Sequence, residues 1–139
     1  MKLKHILIPA ALCVSALSAQ ADVVVVVGAK SSVAALNEDQ AGQIFLGKTS
    51  TFPNGGQAVP IDQAEGAGPR NEFYTKVTGK DAAQVKSYWS KIIFTGKGQP
   101  PKEVPGNGDV KKLVADNPNM IGYIDKSAVD GSVKVVLTP

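Results

Sequence analysis

The chain contains a single arginine, Arg70, in the stretch IDQAEGAGPRNEF at residues 61–73. An apolar, strand-like run ends there in an acid and two glycines, and a helical pattern begins almost at once. Gly66 and Gly68 permit positive φ and let a ligand approach the backbone with no Cβ in the way. The first N–H groups of a helix are unpaired, and the helix dipole favours negative charge beside them. Arg70, just inside, can add a bidentate, charge-assisted contact to a carboxylate or oxyanion. The backbone of Gly66, Ala67 and Gly68 with Arg70 is therefore a candidate anion site. The same residues also suit a plain strand-to-helix connection. Pro69 removes one donor, and Glu65 and Asp62 put negative charge next to the proposed anion.

Other residues invite weaker readings. Asp62 and Glu65 are paired acids of the kind that serve acid–base work in glycosidases, although no spacing singles them out. Lys48 and Lys97 each follow a glycine just after a helical pattern and can face a cleft. Lysine at that position also complements the helix dipole.

Composition removes most enzyme classes. Residues 1–21 read as a cleaved secretory leader: basic MKLKH, apolar ILIPAALCVSALS, and the small-residue AQA ahead of Asp22. The only cysteine and the only histidine, Cys13 and His5, fall inside it. Residues 22–139 then have no thiolate nucleophile, no Ser-His-Asp triad and no imidazole metal ligand. The expectation is a periplasmic, non-enzymatic product with no cofactor. Lys2 and Lys4 also precede Asp22, leaving thirteen basic residues against twelve acidic ones and a net charge of +1. The lysines are scattered and no basic stripe is interleaved with aromatics, so nucleic acid is not an expected partner.

The elements that position these residues follow from local pattern. DVVVVV at 22–27 is a continuous β-branched run, as in a strand covered on both faces. LNEDQAGQIFLG reads as a helix capped by Asn37, with Ala41, Ile44 and Phe45 inward and Gly47 as its stop. QAVPID reads as an edge or terminal strand, because Pro60 cannot donate to a ladder. PRNEFYTKVTG is a helix opened by proline and closed by glycine. DAAQVKSYWSKIIFTG is another, capped by Asp81, with Val85, Trp89, Ile92 and Ile93 at helical spacing. KGQPPKEVPGNG reads as a loop, DVKKLVADNP as a short helix, and MIGYID and SVKVVL as two late strands. Residues 22–139 thus form one α/β domain, a mixed sheet flanked by helices.

Three segments in order, LNEDQAGQIFLGKTSTFPNGGQAVPIDQAEGAGPRNEFY, YWSKIIFTGKGQPP and NPNMIGYID, resemble the periplasmic phosphate-binding proteins of ABC transporters. The resemblance implies a single lobe of the type II periplasmic binding-protein fold. It also implies transport, with a small oxyanion such as phosphate as ligand and a membrane permease, a second lobe or a second protomer as partner. The family's turn usually reads Arg-x-Asp-Gly-Ser-Gly-Thr; the matching positions here are Gln63, Ala64, Glu65, Gly66, Ala67, Gly68 and Pro69. Each charge-assisted hydrogen bond lost costs on the order of 1.5–3 kcal/mol, so the resemblance implies weak binding at Gly66, Ala67, Gly68 and Arg70. Ser31 and Ser32, after the first strand, are expected to help. The alternative is a non-catalytic interaction module whose cleft face docks a partner protein or a second copy.

Overall fold

The computed structural model describes residues 22–139; the leader expected over residues 1–21 lies outside them. Five strands form one mixed sheet in the order β3-β2-β4-β1-β5. β1 (Val23–Gly28) is buried along its whole length, as its unbroken valine run requires. It runs antiparallel to both β4 (Met120–Asp125) and β5 (Val133–Leu137). β2 (Val59–Gln63) runs parallel to β4 on one side and to β3 (Lys102–Val104) on the other.

Helices cover both faces. α1 (Glu38–Phe45) starts in a capping box between Asn37 and Gln40, buries Ala41, Ile44 and Phe45, and ends before Gly47 at φ +72°. α2 (Gly68–Phe73) runs into a π-helical turn (Tyr74–Thr78), which Gly79 closes at φ +71°. α3 (Ala82–Phe94) starts in a second capping box, between Asp81 and Gln84. These elements pack around Val23, Val25 and Val27 with Phe45, Phe73, Tyr123 and Trp89. The alternate residues Val24 and Val26 face the other way, onto Val110 and Val114 of α4 (Asn107–Asp116). Alternation along a strand thus feeds two hydrophobic layers.

Three expectations change. β2 is an interior strand; Pro60 is tolerated because it lies in the part of β2 paired to β4 alone, before the pairing with β3 begins at Ile61. KGQPPKEVPGNG is not all loop: Lys102–Val104 adds the edge strand β3, and α4 begins at Asn107, two residues before the expected helix. Ile93 is 54 % exposed, so the buried stripe of α3 is Val85 and Trp89 with half-buried Tyr88 and Ile92.

Two glycines set how closely α4 approaches the sheet. A Cβ at Gly28 would overlap the Val114 carbonyl oxygen, and one at Gly122 would overlap Cγ1 of Val110. Gly28→Ala must push helix backbone away, which predicts a loss of about 1–3 kcal/mol. A urea-unfolding midpoint within error of the parent would contradict this close packing.

Candidate functional site

β2 delivers Asp62 and Gln63 to the end of the sheet where the Gly66–Arg70 turn begins. Both residues are buried, at 2 % and 1 % exposure. A carboxylate there must be surrounded by donors. Tyr74 Oη donates to Asp62 Oδ2 at 2.6 Å, Tyr123 Oη donates to Oδ1, and the Gln63 N–H donates to Oδ1 at 2.9 Å. Arg70 Nη1 lies 3.5 Å from Oδ2. Burial raises the Asp62 pKa above the ordinary carboxylate value, and the two phenols, Arg70 and the Gln63 amide pull it back. Burial and the neighbouring carboxylate push both phenols well above their usual range, so they remain protonated donors.

Arg70 belongs to this buried cluster. Its Nη1 donates to the Gln63 carbonyl at 2.8 Å and to Glu103 Oε1 at 2.8 Å. The guanidinium also sits 5.6 Å from the centre of the Tyr74 ring. Its side chain is 11 % exposed, so the charge is turned back under the loop between Asp62 and Glu103. Gln63 bridges further: Nε2 donates to the Tyr123 carbonyl at 2.9 Å and to Asn107 Oδ1 at 3.0 Å, while Asn107 Nδ2 donates to Asp125 Oδ2 at 2.9 Å. Gln63, at the position where the resembling family's turn usually starts with arginine, is here a structural clamp between β2, β4 and the start of α4.

The turn is half closed. The Ala67 N–H donates to the Ala64 carbonyl and the Arg70 N–H to the Ala67 carbonyl, both at 3.1 Å. Among the described residues, the Gly66 and Gly68 N–H groups have no such partner. Gly66 adopts φ +86°, which requires glycine. A cleft of about 300 Å³ opens beside the turn, walled by Glu65, Gly66, Arg70, Asn71, Ala82, Ala83 and Lys86. Lys86 is the one lysine in that wall, and Glu65 opposes it.

Ser31 and Ser32 lie elsewhere. β1 runs opposite to β4 and β2 runs with β4, so the exit of β1 falls at the entry end of β2, across the sheet from the turn. Both hydroxyls are already engaged: Ser31 Oγ accepts from the Val33 N–H at 3.2 Å, and Ser32 Oγ from Asn54 Nδ2 at 3.0 Å. The structure therefore separates the serine pair from Gly66, Ala67, Gly68 and Arg70. Tyr74, Tyr123, Glu103, Asn107 and Lys86 were absent from the sequence-based site. A signal for two of them existed: a tyrosine amid apolar residues needs a buried partner, and Asp62 in an apolar strand supplies one. Among the described residues, no cluster of three His, Cys, Asp or Glu side chains is placed to hold a metal.

No family model matches the chain. Among solved structures it is similar to a phosphate ABC transporter substrate-binding protein with bound phosphate from Clostridium perfringens: 28% identity, TM-score 0.64, covering 83% of this chain and 44% of that one. An ABC-type phosphate transport receptor from Vibrio cholerae aligns at 19% identity and TM-score 0.65, over 83% of this chain and 45% of that one. PstS from Borrelia burgdorferi aligns at 13% identity and TM-score 0.61, over 83% and 46%. The latter two alignments bear on fold alone. The chain is thus similar to phosphate ABC transporter substrate-binding proteins, spans under half the length of these three, and has the same α/β, mixed-sheet architecture.

Replacing Arg70 by methionine leaves two carboxylates unpaired and should cost about 3–5 kcal/mol in unfolding free energy. A neutral outcome would mean that the guanidinium is not part of the scaffold. The raised pKa also fixes a pH dependence. Stability contributed by Asp62 is fully present below 3.8, its ordinary value, and is lost as pH rises through the higher folded-state value. The difference between parent and Asp62→Asn unfolding curves, measured from pH 3 to 8, should carry that decline; parallel curves would contradict it.

Proposed function

We propose that this chain is an exported, non-catalytic, periplasmic module of the solute-binding type that takes a small oxyanion such as phosphate weakly at the Gly66–Gly68 turn. The observation that carries the reading is the unpartnered Gly66 amide on the wall of a cleft that also holds Lys86, with the unpartnered Gly68 amide in the same turn. Similarity to a protein with bound phosphate supports the ligand class. In this reading Gly66 and Gly68 are donors and Ala67 sets the spacing between them. Arg70 is a positioning residue whose charge is spent on Asp62 and Glu103.

Affinity follows from the donor count. Two amides and one lysine cannot replace the hydration of a phosphate, whose oxygens nearly all require partners. A dissociation constant of roughly 1 mM or weaker, about −4 kcal/mol, is the expected scale. Docking to a permease, a second lobe or a second protomer would complete such a cage from outside the chain.

Titrating the chain with phosphate and sulfate by amide NMR should move the Gly66 and Gly68 signals first. The absence of any shift there at saturating anion would end the proposal. Restoring hydroxyls with Ala67→Ser and Pro69→Thr should tighten phosphate binding by about tenfold or more per regained charge-assisted hydrogen bond. An unchanged titration curve in the double variant would place the anion elsewhere.

A further inference from the structure

The far end of α3 carries an unassigned surface. Phe94 is 92 % exposed and Ile93 54 %. Every residue from Ile93 to Pro100 is exposed. The tip is nonetheless capped: Gly96 turns the chain at φ +68°, its N–H donates to the Ile93 carbonyl, and the Lys97 N–H donates to the Ile92 carbonyl, both at 3.1 Å. Phe94 is thus held out by a capped helix end, so burying it would require little further ordering.

The charge around it has one sign. From Ala82 to Lys102 the chain contains Lys86, Lys91, Lys97 and Lys102 and no carboxylate. Lys91 lies one turn before Phe94 on the helix, and Lys97 follows three residues after it. Among the described residues none of these lysines makes an ion pair. The helix dipole accounts for cations near a helix C-terminus, but not for an aromatic ring in water beside them.

We propose that this tip docks on an anionic lipid surface, with Ile93 and Phe94 as the apolar wedge and Lys91 and Lys97 as its cationic rim. A protruding ring amid unpaired lysines fits a headgroup layer, which is deformable and negative across its whole area. A protein partner would need carboxylates placed opposite each lysine. Exposed apolar side chains beside basic ones are the composition of interfacial binding, and each lysine near an anionic leaflet adds about 1 kcal/mol. The tip lies about 12 Å along α3 from Lys86, the nearest wall of the cleft beside Gly66, so docking at the tip does not use the cleft's own residues.

The test is co-sedimentation of the chain from Asp22 onward, which holds all five described strands and both described core clusters, with phosphatidylcholine vesicles with and without phosphatidylglycerol. Binding is expected only with phosphatidylglycerol, falling as salt shortens the screening length. Phe94→Ser should weaken it about tenfold, the scale of losing one buried aromatic ring, and Lys91→Glu with Lys97→Glu should abolish it. Unchanged circular dichroism would show the variants folded, as exposed positions predict. No binding to phosphatidylglycerol vesicles at low salt would overturn the proposal, as would binding indifferent to Phe94→Ser. Self-association that Phe94→Ser removes, in the absence of vesicle binding, would instead assign the tip to a second copy.

Discussion

A carboxylate buried at the end of an interior strand constrains everything around it. Asp62 is nearly inaccessible, and its charge is tolerable only because two phenols, a backbone amide and a guanidinium converge on it. Those donors come from different elements. Tyr123 stands in the middle of β4, and Tyr74 and Arg70 stand on either side of the junction between α2 and the π-helical turn. One acid therefore fixes the strand, its parallel neighbour and the following helix relative to each other. The stacked rings of Phe73 and Tyr123, 4.3 Å apart, carry that order into the hydrophobic layer below.

The cost of this arrangement falls on the proposed ligand turn. An arginine directed into the cleft would be the strongest anion-binding group available in this chain. Here it lies between Asp62 and Glu103, so its field outside the cluster is largely cancelled. What remains for the proposed ligand is two glycine amides of the backbone and the side chain of Lys86. The similarity to phosphate-binding proteins and the departure from the family's turn are thus compatible. The scaffold that presents a glycine turn is kept, while the side chains that would grip tightly are replaced by Gln63, Ala67 and Pro69.

Much of the scaffold was legible because it is specified locally. Asn37 and Asp81 announce helix starts through their capping boxes, Gly47 and Gly79 announce ends, and the valine run of β1 requires cover on both faces. β3 was not legible, since Lys-Glu-Val has no periodicity and becomes a strand only because β2 offers an edge. Pro60 misled for a related reason: it is paired to β4 alone, and β3 does not reach it, so its missing donor leaves no gap on that side. The direction of Arg70 was beyond local pattern because Glu103 and Asp62 reach it through tertiary contacts. Strand direction decided the fate of Ser31 and Ser32. A parallel β1 would have carried them to the turn, whereas the observed antiparallel β1 carries them to the opposite end.

The most direct measurement is a high-resolution crystal structure of the chain grown in concentrated phosphate. The Arg70 guanidinium should stay on the Gln63 carbonyl, Glu103 and Asp62, with any anion on the Gly66 and Gly68 amides. A guanidinium swung outward onto the phosphate, with Asp62 released from it, would contradict the account at its foundation.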